Sequence, residues 1–159
     1  MATIKGKIKA ISVSESRGTS KHNIPAAQAK AGFGIEGDAH AGNWHRQISL
    51  LAEESIEKIR AKGAQVKSGD FAENITTEGI DLRNLVLGSR LRLGREAEVE
   101  ITQLGKKCHN RCAIFQQIGN CIMPRDGAFA KVTKSGQIKV GDTIEVLNSN
   151  GQSSDTHGK

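Results

Sequence analysis

Apolar and polar residues change period several times along the chain. The opening segment IKGKIKAISVS, Ile4 to Ser14, sets Ile4, Gly6, Ile8 and Ala10 against intervening polar positions. That period of two predicts a half-buried strand. RQISLL, from Arg46, reads as a short strand leading into a helix from about Ala52 to Lys62. Glu53 and Glu54 fall in its first turn, Lys58, Arg60 and Lys62 near its end, and Gly63 just beyond. This order of charges suits the helix dipole, and the glycine supplies a stop. Ala52, Ile56 and Ile59 give the helix a thin apolar face.

Beyond the helix the pattern is that of sheet. FAENITT runs to a turn at Gly79, and DLRNLVLG reads as a short turn segment. SRLRLG and AEVEITQL alternate about a turn at Gly94, with Leu91, Leu93, Val99 and Ile101 facing inward. GAFAKVTKSGQIKVGDTIEVL reads as strand, Ser-Gly turn, short strand, Gly-Asp turn and closing strand. The polar, glycine-rich region 15–43 is expected to be loop, and the tail 149–159 disordered. The resulting expectation is one domain over 1–148, mainly β, a barrel with one or two short helices.

Composition narrows the field of functions. The 159 residues include 18 glycines and two prolines, with aromatic residues at only 3%, so Ile, Leu, Val and Ala must build the core. No apolar run is long enough to span a membrane. The lysine-dotted N-terminus does not resemble a secretion signal, and three cysteines cannot all pair within the chain, so a reducing cytoplasm is the expected location. The net charge of +6 favours anionic partners. Nucleic acid is not expected among them, because tyrosine is absent and the single tryptophan is not interleaved with basic residues.

All three cysteines lie in LGKKCHNRCAIFQQIGNCIMPRDG, residues 104–127. A thiol acts as ligand or nucleophile in its thiolate form, which nearby positive charge favours. Cys108, with Lys106, Lys107, His109 and Arg111 around it, is the leading candidate. Cys108, His109, Cys112 and Cys121 also form a four-donor set for structural zinc, although no second paired knuckle follows. A redox pair of Cys108 with Cys112 or Cys121 is a further option, and Cys112 in RCAIF also suits a buried small hydrophobe. Elsewhere, Asp38 and His40, with His45 nearby, offer metal or acid–base chemistry, or serve loop architecture through Asp38 capping backbone N–H groups. Asn74, in a strand expected to be central, must satisfy its amide by bracing a neighbouring loop or meeting a ligand.

Five segments in order resemble the MOSC domain, named for the C-terminal part of molybdenum cofactor sulfurases. They are GIEGDAHAG, RQISLL, SGDFAENITTEGIDL, GSRLRLGREAEVEITQLGKKC and RDGAFAKVTKSGQIKVGDTIEV, and the likeness runs from about Ile4 to Leu147. The resemblance implies a barrel related to the β-barrel domain of pyruvate kinase. It further implies association with the molybdenum cofactor, Cys108 being the molybdenum ligand and catalytic residue. Asn74, Lys106, Lys107, Arg111, Arg46, Arg125 and His40 are the implied cofactor-binding set. Ala72 stands where amidoxime-reducing relatives carry an arginine, and the N-terminal associated domain of those enzymes has no counterpart in this sequence; both departures predict looser retention of the pterin. The implied activities are reduction of N-hydroxylated compounds with an external electron-donor protein, or carriage of persulfide sulfur on Cys108 from a cysteine desulfurase. A non-catalytic zinc- or anion-binding module is the alternative to both.

Overall fold

The computed structural model describes residues 4–16, 21–63, 65–104 and 126–148. Seven strands close into a mixed barrel: β1 (Lys5–Val13), β11 (Thr143–Asn148), β7 (Arg90–Leu93), β8 (Ala97–Leu104), β9 (Ala128–Lys134), β5 (Ile48–Ala52) and β6 (Ile75–Glu78). Pairing of β1 with β11 closes the ring, and β2 (His22–Ile24) extends it beside β1. All neighbours in the ring are antiparallel except β5 and β6. Parallel neighbours need a crossover, and the helix α1 (Glu53–Arg60) lies within it. Ile8, Ile11, Ile48, Leu50, Ile75, Leu91, Leu93, Val99, Ile101 and Ile144 fill the interior, each at 0–1% exposure. The four inward positions expected of the Gly94 hairpin are all in this set.

The alternation of the first strand holds only partly. Ile8 faces the core, but a register shift against β6 between Ile8 and Ala10 moves the inward series to Ile11 and Val13. Ala10 is half-buried and Ile4 is 50% exposed, contrary to the uninterrupted alternation. Region 15–43 also departs from expectation, because it contains β2, β3 (Ala26–Lys30) and β4 (Gly34–Ile35). The last two join β10 (Gly136–Lys139) in a separate three-stranded sheet. Their inward residues are largely small, Ala27 and Ala29 facing Ile138 and Gly136, so hydropathy gives little sign of a strand.

Outside the barrel, a second apolar cluster seats α1. Ile56 and Ile59 meet Leu51, Val66, Phe71, Ala72 and Phe129. Burying each large aliphatic side chain contributes about 1.5–3 kcal/mol. The helix therefore holds the segment 66–73 against the outer wall of β5 and β9. Leu82–Asn84 form one turn of 3-10 helix, with the Asp81 carboxylate accepting from the Arg83 N–H, in the segment read as a turn. The tail and the cysteine-bearing segment lie outside the described residues.

Candidate functional site

Asn74 stands immediately before β6 and is fully buried. Its Oδ1 accepts from the Ser49 N–H at 2.9 Å, and its Nδ2 donates to the Ser12 carbonyl at 3.1 Å. One amide thus ties β5 to β1 where β6 begins. Both ends of the side chain bind backbone, which is the bracing alternative, and the amide also acts on the Asp38 carboxylate. Any approach of Asn74 to a ligand would be through the loops it holds.

Those loops meet over an unusual buried ion pair. Lys21 Nζ lies 2.7 Å from Asp38 Oδ1, and neither side chain is exposed. The ammonium also reaches Ser14 Oγ and His40 Nδ1, each at 3.1 Å. Asp38 in turn accepts the Ser14 N–H at 3.1 Å on Oδ1 and the His40 N–H at 3.0 Å on Oδ2. Burial by itself would raise the Asp38 pKa. The polar contacts of His40 and Lys21, the Lys21 charge and the Asn74 amide outweigh it and hold the carboxyl well below the usual carboxylate range. Burial lowers the Lys21 pKa, opposed by Asp38 and by the charge of Glu73.

Asp38 therefore caps backbone, as the loop-architecture reading has it, and pairs with the Lys21 ammonium. Among the described residues no group of three His, Cys, Asp or Glu side chains is placed to hold a metal.

Glu73 lies near enough for its charge to act on Lys21. Its carboxylate accepts the Gly69 N–H at 2.7 Å, the Thr76 hydroxyl at 2.8 Å and the Phe71 N–H at 3.3 Å. It is fully buried, and burial pushes its pKa up to about 7 against those hydrogen bonds. The bonds fold the SGDF turn tightly enough that Gly69 takes a positive φ of 95° and accepts the Lys21 N–H on its carbonyl. A Cβ at Gly69 would lie 2.5 Å from the Lys21 carbonyl oxygen, so only glycine fits. Ala72, at the position compared with an arginine, packs into the outer apolar cluster with a positive φ of 66°.

From His40 the chain continues to Arg46 along a short aromatic shelf. The Trp44 indole donates to the His40 carbonyl at 2.7 Å and lies parallel to the imidazole with centroids 6.4 Å apart. The Arg46 guanidinium sits 5.9 Å from the Trp44 ring centre and 5.2 Å from that of Phe129. Its Nε donates to Gln103 Oε1 at 2.9 Å, and His45 Nε2 meets the same oxygen at 3.0 Å. The terminal amino groups of Arg46 have no hydrogen-bonding protein partner among the described residues. Gln103 pairs with Phe129 and Leu104 with Ala128, so this shelf stands at the strand ends that bound the cysteine-bearing segment.

Three of the expected site residues, Asn74, His40 and Arg46, thus belong to one connected set of contacts at one end of the barrel. Cys108, Lys106, Lys107, Arg111 and Arg125 lie outside the described residues, as do His109, Cys112 and Cys121. Lys21, Glu73, Trp44 and Gln103 were missed. Lys21 sits in the polar run TSKHN, where a solvated lysine is the ordinary expectation, so nothing in the sequence marked it. A surface hollow of about 290 Å³ beside α1, lined in part by Glu54, Lys58, Asp81 and Arg83, includes none of this set.

The model of the MOSC domain matches residues 37–145, which takes in the Asp38–Arg46 loop, Asn74 and both strands flanking the cysteines. The chain belongs to the MOSC domain family. Solved structures agree on the fold of this MOSC domain. YuaD from Bacillus subtilis superposes with a TM-score of 0.75 at 20% identity, over 91% of this chain and 97% of that one. YiiM from Geobacillus stearothermophilus gives 0.66 at 19% identity, over 90% and 75%. YiiM from Escherichia coli gives 0.63 at 18%, over 98% and 72%. No curated protein sequence matches the MOSC chain. Among the described residues, no helix of this MOSC domain is long and apolar enough to cross a membrane.

Proposed function

We propose that this MOSC protein binds the molybdenum cofactor, with Cys108 as the thiolate ligand to molybdenum, and reduces N-hydroxylated compounds using electrons from a separate donor protein. The observation that carries the reading is Arg46. Its guanidinium is held over two aromatic rings and fixed at Nε, with its terminal amino groups unpartnered among the described residues, at the strand ends that bound the segment holding the cysteines. Such a guanidinium suits a phosphate or another oxyanion, which it can bind through two parallel hydrogen bonds. The donor set therefore fits a pterin bearing a phosphate.

Arg46 would hold the anionic part of the cofactor, joined by Lys106, Lys107, Arg111 and Arg125 from the flanking segment. Asn74 would act from beneath, by keeping the Asp38–His40 loop and β5 in register. When bound, the cofactor supplies two-electron oxygen-atom transfer, while the protein supplies binding and orientation. Excess positive charge around Cys108 would keep the sulfur ionised for ligation.

The test is the pterin content of protein purified from a cofactor-competent host. Arg46→Ala should fold as the wild type does, since the side chain is partly exposed, yet retain at least tenfold less pterin. Wild-type pterin content in the variant would overturn the assignment of Arg46. Persulfide on Cys108 after incubation with a cysteine desulfurase, in protein free of pterin, would replace this reading with sulfur carriage.

A further inference from the structure

We propose that Lys21 is a positioning residue that holds His40 as the neutral Nε2–H tautomer, so that the imidazole offers a hydrogen-bond donor to an oxyanion of the bound ligand. The inference rests on the reading above only in taking the Asp38–Arg46 loop as part of the ligand site.

The argument is one of donor counting. A lysine ammonium has three N–H donors and no acceptor. Its three neighbours are Ser14 Oγ at 3.1 Å, Asp38 Oδ1 at 2.7 Å and His40 Nδ1 at 3.1 Å. Ser14 can accept because its own proton goes to the Ser16 carbonyl at 2.7 Å. Asp38 accepts as a carboxylate. His40 Nδ1 must then accept as well, which places the ring proton on Nε2.

The other tautomer would aim an Nδ1–H at Asp38 Oδ2, but that oxygen is 3.7 Å away and already receives the His40 backbone N–H at 3.0 Å. A distance of 3.7 Å is too long for a hydrogen bond. An imidazolium would set a proton on Nδ1 against the ammonium. The Asp38 carboxylate, 2.7 Å from Nζ, opposes the lowering of the Lys21 pKa by burial and so favours the ammonium that donates in this sense.

Among the described residues, the outward edge of the ring is uncommitted. His40 keeps 14% side-chain exposure, and its Nε2 has no protein partner among the described residues. The His40 loop thus ends in a fixed N–H donor, which serves an anion's oxygen and cannot serve as a metal ligand or accept a proton on that edge. Two donors of different kinds, His40 Nε2–H and Arg46, stand at the ends of the aromatic shelf formed by Trp44.

Long-range proton–nitrogen NMR of the 15N-labelled full chain at pH 8 reads the tautomer directly, with His40 identified by the signals missing from His40→Gln. The expected pattern is a protonated Nε2 and an unprotonated Nδ1. A protonated Nδ1, or an averaged mixture, would overturn the proposal. Titration with inorganic phosphate should move the His40 Nε2–H signal to saturation; a signal unmoved by phosphate would overturn the donor role. Lys21→Met should return the ring to a mixture of tautomers. Should the single replacement not fold, Lys21→Met combined with Asp38→Asn removes both buried charges together. A pure Nε2–H form surviving in either would show that Lys21 is not the cause. None of these signals requires molybdenum or pterin, so loss of the cofactor reading and loss of this one are separate results.

Discussion

Asn74 is where a single side chain carries most. Its amide supplies the acceptor for the Ser49 N–H and the donor for the Ser12 carbonyl, all three residues being buried. Replacement by alanine leaves both backbone groups without a partner. Each unsatisfied buried group costs about 1–3 kcal/mol, so Asn74→Ala should lose about 2–4 kcal/mol in urea unfolding. A loss under about 1 kcal/mol would show that water or a shifted backbone replaces the amide. The sequence could not choose between brace and ligand for Asn74, because both demand a buried, satisfied amide. Of the two readings open for Asp38, capping was legible because Asp in a glycine-rich loop has a local reason to bind backbone, and its carboxylate does accept the Ser14 and His40 N–H groups. Its partner Lys21 was invisible, since an ion pair across 17 residues leaves no periodic trace.

At the scale of elements, the barrel closes around a tight approach of β1 to β6. A Cβ at Gly6 would lie 2.4 Å from the Glu78 carbonyl oxygen and 2.6 Å from Ile80 Cγ1. Gly6 lies in register with Ile144 on β11, at the seam that completes the ring. Gly6→Ala should therefore cost about 1–3 kcal/mol, the typical cost of forcing extra volume into a packed site, and lower the thermal midpoint. An unchanged midpoint would mean that the seam yields without cost. The hairpin around Gly94 and the helix α1 were legible because their apolar residues are large and regularly spaced. β2, β3 and β4 were not, because β2 is three residues long with two of them exposed and polar, and β3 and β4 are built largely of alanine and glycine, which carry little hydrophobic signal. The register shift in β1 was equally hidden, since a strand pattern does not reveal where its partner slips.

For the molecule as a whole, the buried carboxylates make stability depend on pH in opposite senses. Glu73 titrates near 7 in the fold against 4.5 when unhindered. Between those values the folded chain holds a proton that the unfolded chain has released, so stability falls as pH rises through this window. Asp38 is depressed below its ordinary 3.8, so its contribution is present above that pH and is lost as the solution becomes more acid. Wild type compared with Glu73→Gln in urea should accordingly be relatively more stable at pH 5 than at pH 8; the reverse order would refute the burial effect on Glu73. The barrel and its family were readable from five short segments in order, whereas the polar network of the site needed three-dimensional contacts among residues 12–76. The most direct test of the functional account is molybdenum and pterin analysis of the full chain purified from a cofactor-competent host, beside Cys108→Ala. The account predicts both components in the wild type and their loss from the variant. Wild-type protein without either, or a Cys108→Ala protein that keeps both, would contradict it.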